Sequence, residues 1–379
     1  MNQTAHRVPD PARYARHLAL TEIGSAGQQR LADGSVLVVG AGGLGSPAAL
    51  YLAAAGVGTI GLVDHDRIEL SNLQRQILFG TDEIGRGKAV TAQARLTALN
   101  PSLHVVAHEE KLLAGNVERI FRDYDIVLDG TDRLATRYLI NDACVLMGKP
   151  LVSAAIHRFE GQAMTYLPGK SACYRCLYPE SPEDLVPNCA TAGVLGVLPG
   201  VMGSLQATEA LKLLLGIGET LANRLLVYDA LSLRFDEFHF KRRMDCAVCG
   251  EHPSITSVAH HEEKGLSRIT EWTPQQLASE LKNGGEERLF MVDVREHHEW
   301  DEGRLPGSVH IPLGTLPARL DEIPAEATPV FICAVGGRSM RAAQFFAQSK
   351  GRDAVNLSGG VMVWSQVFGA PPKPDDHQH

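Results

Sequence analysis

Residues 35–64 read SVLVVGAGGLGSPAALYLAAAGVGTIGLVD, and this stretch decides the fold. SVLVV is a short apolar run of the kind that forms a buried strand. GAGGLG follows at once, and SPAALYLAAAGVG continues as a helix with Pro47 in its first turn. Gly40, Gly42 and Gly45 fit G-x-G-x-x-G, a spacing that lets backbone approach phosphates at a helix N-terminus. TIGLVD is a second strand that ends on Asp64, where an acidic side chain can hold ribose hydroxyls. Such a unit suits any nucleotide. The continuation SNLQRQILF (71–79) and Lys88 narrow the choice, because Asn72, Arg75 and Lys88 follow the ribose carboxylate in order. A hydride-transfer cofactor has no need of two cations there. An ATP triphosphate does, since charge builds on its phosphates as pyrophosphate leaves.

The alternation continues outward. KAVTAQARLTALN reads as a helix, LHVVAHEE as a strand, NVERIFRDYD as a helix and DIVLDGTD (125–132) as another buried strand. RYLINDACVLMG is a helix, and KPLVSAAIH leads into a strand. The pattern predicts an α/β fold with a doubly wound, mostly parallel sheet, whose ligands bind at the carboxyl ends of the strands. Asp64 and Asp132 both stand at such ends. From 173 to 195 the pattern gives way to the irregular, acidic SPEDLVPNCATAG. An apolar helix, GVMGSLQATEALKLLLG, follows, and LLVYDALSLRFDEFHF reads as a hairpin. The expected organisation is a first domain over 1–250, a linker over 251–267, a smaller α/β domain over 268–370 and a disordered tail over 371–379.

Composition bounds the function. The length of 379 residues allows two or three domains, and the net charge of −8 argues against a general nucleic-acid surface. No apolar run reaches 18 residues and the first 17 are too polar for a signal peptide, so no membrane partner and a cytoplasmic location are expected. Seven cysteines, an odd number, do not make a disulfide framework.

Their placement says more. Cys173 and Cys176 form one C-x-x-C and Cys246 and Cys249 another, together the four thiolates of a closed tetrahedral Zn²⁺ site. A redox pair is the competing reading. In CAVGGRS (333–339), between a strand and a helix, Cys333 faces backbone N–H groups and a helix N-terminus with Arg338 close by. All three favour a reactive thiolate over a buried strand-end cysteine. Cys189, in PNCATAG, is either a second nucleophile or a loop thiol, and Cys144 is a core residue. His260, His261, His297 and His298 lie in polar runs and read as solvated.

With these residues the chain resembles the MoeB/ThiF family of ubiquitin-activating-type adenylyltransferases, fused to a rhodanese-like domain. The first resemblance rests on RYARH (13–17), GAGGLGS, DHDRIELSNLQRQ, GRGKA, DGTD, CYRC and CAVC. The second rests on VDVRE, GRLPGSVHIPL, CAVGGRS and LSGGVMVW. The resemblance implies a Rossmann-like adenylation domain with ATP and Mg²⁺. The nucleotide would meet Gly40, Gly42, Gly43, Gly45, Asp64, Ser71, Asn72, Leu73, Gln74, Arg75 and Lys88, with Asp132 on magnesium. Arg133 stands where relatives have asparagine, as a phosphate contact or a surface charge. Arg16 would reach the partner subunit's phosphates in a homodimer. Cys189 matches a loop cysteine that links covalently to the carrier in some members, and Cys333 matches the persulfide cysteine. The implied partners are a small ubiquitin-like sulfur-carrier protein with a C-terminal Gly-Gly and a sulfur donor, either a cysteine desulfurase persulfide or thiosulfate. The implied product is a C-terminal thiocarboxylate. Two alternatives are a nicotinamide-dependent oxidoreductase with an accessory sulfur-handling domain, and a non-catalytic scaffold.

Overall fold

The computed structural model describes residues 8–179, 193–261 and 269–373, apart from 283, 286 and 287. It forms two compact units, Met1–Glu262 and Glu263–His379. In the first unit the chain runs α1 (Ala15–Leu18), α2 (Gly24–Asp33), β1 (Ser35–Val39), α3 (Gly45–Ala55), β2 (Thr59–Val63), α4 (Lys88–Leu99) and β3 (His104–His108). It continues through α5 (Ala114–Phe121), β4 (Ile126–Asp129), α6 (Leu134–Met147), β5 (Leu151–His157), β6 (Glu160–Tyr166) and α7 (Tyr174–Leu177). The unit then adds α8 (Leu198–Leu215), β7 (Arg224–Asp229) and β8 (Arg234–His239).

These eight strands form one sheet in the order β3-β2-β1-β4-β5-β6-β7-β8. The first five are parallel, and β1, β2 and β4 are buried on both faces, which is why SVLVV, TIGLV and IVLD are continuous apolar runs. β5 to β8 are antiparallel. Sequence reading found the β7–β8 hairpin and missed β6, whose EGQAMTY alternates too weakly to show. The strand order reverses beside β1, between β2 and β4, so a crevice opens at their carboxyl ends.

Small residues let α3 pack closely against α8, which lies on the sheet beside it. Gly45, Ala48, Ala49 and Ala53 are buried along α3, and a Cβ on Gly203 of α8 would lie 2.3 Å from the Leu44 carbonyl oxygen and 2.6 Å from Pro47. Pro47 sits in the first turn, where its missing N–H costs no helical bond. The N-terminal segment is seated by Tyr14, whose ring covers Gly56 and whose hydroxyl accepts from Asn100 Nδ2 at 2.8 Å.

The stretch read as a linker departs from expectation over 251–261. Ile255 and Val258 are buried in the core with Val117 and Ile120, and the Ile255 N–H donates to Ala247 O at 2.8 Å. Two apolar residues in a polar run leave no period to read, yet they suffice to hold the strand of chain down.

The second unit is a five-stranded parallel sheet ordered β11-β10-β12-β13-β9, namely Val309–His310, Leu289–Asp293, Thr328–Ile332, Ala354–Leu357 and Ile269–Trp272. Its helices are α9 (Pro274–Lys282), α10 (His297–Asp301), α11 (Leu316–Arg319), α12 (Gly337–Lys350) and α13 (Gly360–Phe368). The start of the expected tail is held, because Pro372 O accepts from the Arg304 N–H at 3.2 Å; residues 374–379 lie outside the described residues. No described helix is long and apolar enough to cross a membrane.

Candidate functional site

The glycine loop is where the first unit's expected residues gather. Gly40 leaves β1 at φ +90°, a left-handed conformation that suits glycine, and a Cβ there would lie 2.9 Å from Gly130 O. A Cβ at Gly45 would lie 1.9 Å from Gly40 O, so the turn into α3 closes only without side chains. The loop therefore abuts Gly130 and Thr131 on one side. On another lies the 71–76 segment: a Cβ on Gly43 would sit 3.6 Å from Arg75 Cγ, and one on Gly42 would sit 3.6 Å from Gln76 Nε2. Arg75 Nη1 donates to Ser71 O at 3.1 Å, which folds the side chain back along its own turn.

Asp64 is buried and ties the loop to β2. Its Oδ2 accepts from the Ala41 N–H and its Oδ1 from the Asp66 N–H, each at 2.9 Å. Burial pushes its pKa up, opposed by those N–H groups and by the Lys88 charge. Each oxygen retains a lone pair, so ribose hydroxyls have acceptors. Lys88 opens α4, is itself buried, and pairs through Nζ with Asp66 Oδ2 at 3.2 Å.

The remaining residues divide. Asn72 is buried and donates from Nδ2 to Ser71 Oγ at 3.3 Å; Leu73 packs on the core, and the backbone of Gln74 abuts Gly196. Asp132 and Arg133 are exposed where β4 gives way to α6. Arg16 is exposed on α1, and no described contact brings it to the loop. Cys189 lies outside the described residues.

Sequence reasoning missed three residues here. Asp129, fully buried at the end of β4, accepts from Thr131 N–H and Oγ1 at 3.0 and 2.7 Å and from Ser153 Oγ at 2.9 Å. Arg137 Nη1 lies 3.5 Å from Asp129 Oδ2, and its Nη2 donates to Thr131 O at 2.8 Å. This pair braces the turn that carries Asp132. The DGTD motif drew attention to its second aspartate, and Arg137 lies one turn into a helix that reads as core. Gln76 is the third: its Nε2 lies beside Gly42, and its buried Oε1 has no hydrogen-bond partner among the described residues. An orphaned acceptor at a phosphate loop fits a site that a polar ligand completes.

Cys173, Cys176, Cys246 and Cys249 are all buried and form one cluster with every Sγ within 4.8 Å of the others. The Cys173–Cys176, Cys173–Cys246 and Cys176–Cys249 Sγ separations are 3.9, 3.6 and 3.3 Å. A tetrahedral ion with Zn–S bonds of about 2.3 Å has S···S edges of about 3.8 Å, so the donor set and its spacing fit. Hydrogen bonds from its neighbours, Cys173 first, hold the Cys246 thiol below its usual range. Cys144 is buried, and desolvation pushes its thiol well up, as a core residue requires.

In the second unit Cys333 ends β12 and is fully buried. Its Sγ accepts from the Gly336 N–H at 3.1 Å, and Ser339 Oγ lies 3.2 Å away. The Val361 N–H donates to Cys333 O at 2.8 Å, an approach open because a Cβ on Gly360 would lie 2.1 Å from that oxygen. Arg338 differs from expectation. Its guanidinium makes a bidentate pair with Glu299 at 2.6 and 2.7 Å, so its charge is compensated rather than aimed at the sulfur. That pairing, with Arg338 named first among its causes, draws the Glu299 carboxyl down to about 2. The pair therefore persists as pH falls and is lost only near that value. His297 and His298 are exposed, as expected; His260's side chain lies outside the described residues, and His261 is not solvated, because its Nε2 lies 2.7 Å from buried Asp142.

The comparisons follow the same division. The ThiF family matches residues 14–248, and the rhodanese-like domain matches 273–367. The chain is 42% identical to a protein named probable adenylyltransferase/sulfurtransferase MoeZ of Mycobacterium tuberculosis, covering 94% of this chain and 93% of that one. It is 41% identical to adenylyltransferase and sulfurtransferase MOCS3 of Sus scrofa, over 95% of this chain and 87% of the other. A sulfur carrier protein adenylyltransferase of Thermus thermophilus is 51% identical over 66% of this chain and 94% of its own length. The crystal structure of E. coli MccB with ATP shares the fold of the first unit, with a TM-score of 0.55 at 24% identity over 62% of this chain and 74% of that chain. With the glycine-loop geometry and these matches together, the chain belongs to the ThiF family and carries a C-terminal rhodanese-like domain.

Proposed function

We propose that this protein uses ATP to adenylate the C-terminal glycine of a small ubiquitin-like sulfur-carrier protein and then converts it to a thiocarboxylate with sulfur held on Cys333. The gathering of Arg75, Asp64 and Lys88 around one glycine loop carries the reading. The carrier's carboxylate is ionised near pH 7 and attacks the α-phosphate without a protein base. The chain's task is alignment and charge neutralisation. Backbone N–H groups of the loop take the phosphates, Asp64 takes the ribose, and Arg75 and Lys88 face the charge that develops on pyrophosphate. Asp132 would hold the magnesium that accompanies ATP, and that ion would supply further positive charge at the phosphates. Arg16 completes the site of a second subunit in a homodimer. The carrier docks on the open sheet edge: β8 is exposed along its length, and Leu231, Leu233, Phe235 and Phe238 are exposed about it.

In the second half-reaction the terminal sulfur of a Cys333 persulfide attacks the acyl carbon and AMP leaves. A second thiol, Cys189 or an external one, then attacks the Cys333 sulfur. This breaks the S–S bond, leaves a disulfide on Cys333 and frees the thiocarboxylate. The persulfide is loaded by a desulfurase or by thiosulfate. The oxidoreductase and scaffold readings leave the Arg75 segment, the buried Lys88 and the Cys333 cradle without a purpose. Pyrophosphate release that requires both ATP and a carrier ending in Gly-Gly tests the proposal. A nicotinamide absorbance change without pyrophosphate would replace it.

The four-cysteine cluster we assign to a structural Zn²⁺, one per chain, that pins α7 to the 246–249 knuckle. All four positions are occupied by thiolates, so the ion takes no part in the chemistry. Elemental analysis is expected to give one zinc per chain. Chelation should unfold the knuckle, since structural zinc contributes about 10–16 kcal/mol of binding in small peptides. A metal-free preparation that keeps its fold and exchange activity would remove the assignment.

A further inference from the structure

The cradle of Cys333 holds its sulfur with neutral groups and keeps its charge occupied elsewhere. Within CAVGGRS (333–339) Arg338 is the single cation. Both carboxylate oxygens of Glu299 take its guanidinium, at 2.6 and 2.7 Å. That carboxylate is itself fixed, because Glu299 Oε2 also accepts from the Glu296 N–H at 3.0 Å, the capping bond of α10. The Arg338 and Glu299 side chains are only 33% and 21% exposed, so this bidentate pair is more than a loose surface contact. The Glu299 bond is the first cause that raises the Arg338 pKa, and the Cys333 and Glu296 charges add less. The rim of the loop is apolar. Val335 and Met362 are exposed, and the Met362 N–H donates to Ala334 O at 3.0 Å, which seats α13 against the loop.

A compensated cation bears on which sulfur donor Cys333 accepts. The Cys333 thiolate attacks the outer sulfur of a donor; a new S–S bond forms on Cys333 and the bond within the donor breaks. From thiosulfate the leaving group is sulfite, and nucleophile and donor bring three negative charges into one transition state. From a persulfide, R–S–SH, the leaving group is the thiolate R–S⁻ and the transferred sulfur keeps its proton. This donor is neutral, and carries a single charge when ionised. Thiosulfate therefore draws far more than a persulfide from a free cation beside the sulfur. We propose that Glu299 is a specificity-determining residue: by holding Arg338 it withholds the loop's cation from dianionic donors and biases the loading of Cys333 toward the persulfide of a cysteine. This rests on the sulfur relay proposed above and chooses between the two donor classes named there.

The test follows loading of the full chain by mass spectrometry, as a gain of about 32 Da for one sulfur atom, with thiosulfate or cysteine persulfide as donor. Cys333→Ser supplies the blank for the other thiols. Glu299→Gln keeps an acceptor for the Glu296 N–H and so keeps the cap, but removes the charge that compensates Arg338. Its loading rate constant with thiosulfate should rise about tenfold, the attraction in water between a dianion and one free cation about 6 Å away, while loading from cysteine persulfide stays within about twofold. The gain should shrink as salt is raised, and Arg338→Gln added to Glu299→Gln should abolish it. Thiosulfate loading that is unchanged or slower in Glu299→Gln overturns the proposal, as does a gain that survives the loss of Arg338. An equal rise or fall with both donors also overturns it, because it marks a merely structural residue. Wild-type enzyme that gains no sulfur on Cys333 from either donor overturns the sulfur relay instead, a failure visible before any Glu299 variant is compared.

Discussion

Lys88→Ala and Arg75→Ala are each expected to lower carrier-dependent ATP–pyrophosphate exchange about 100- to 1000-fold. A preorganised charge lost from the leaving pyrophosphate costs about 3–4 kcal/mol of transition-state stabilisation. The fold should survive both changes. Lys88 is buried, but its partner Asp66 is 56% exposed and water can take over its solvation. Arg75 donates only to a backbone carbonyl of its own turn. Circular dichroism should therefore match wild type while exchange collapses. Arg16→Ala should behave likewise if the site is shared between subunits. Mixing Arg16→Ala with Lys88→Ala would then restore part of the activity, since one composite site in the mixed dimer can be intact. No recovery after confirmed subunit exchange would place Arg16 in its own subunit's chemistry or in none.

The legible parts of this chain were those with a local cause. The strand–GAGGLG–helix unit is written in one 30-residue stretch, and its loop, its Pro47 turn and the Asp64 at the end of β2 all stand where that stretch puts them. The cysteine pairs were legible because ligand spacing is short-range, and the fold brings all four sulfurs together. What escaped was set by packing across the sheet. Asp129 and Arg137 meet only because β4 and the second turn of α6 fold back on one another, and nothing in DIVLDGTD marks the first aspartate over the second. His261 looked solvated in a polar run because its partner lies 119 residues earlier. Arg338 is near Cys333 in sequence, but Glu299 on α10, in another layer, claims its guanidinium. The antiparallel β6 was lost for a similar reason: Ala163 is buried against α8 and Met164 against Tyr138 and Tyr174, not by a pattern of their own.

Cys333→Ser is expected to separate the two halves of the reaction. Exchange should remain near wild type, because the adenylation residues all lie in the first unit. Thiosulfate-to-cyanide transfer should be abolished. A serine oxygen can still accept from the Gly336 N–H and so keep the loop, but it carries no sulfane sulfur and stays protonated at pH 7. Free sulfide at high concentration should partly rescue the variant by attacking the acyl-adenylate directly. The most direct measurement is the mass of the carrier after incubation with ATP and a persulfide donor as the only sulfur source. Wild-type enzyme should add about 16 Da, the difference of sulfur for oxygen in a thiocarboxylate, and Cys333→Ser should add none. Full conversion of the carrier by Cys333→Ser without added sulfide would contradict the sulfur relay and leave Cys333 a loop thiol in a domain that only docks partners.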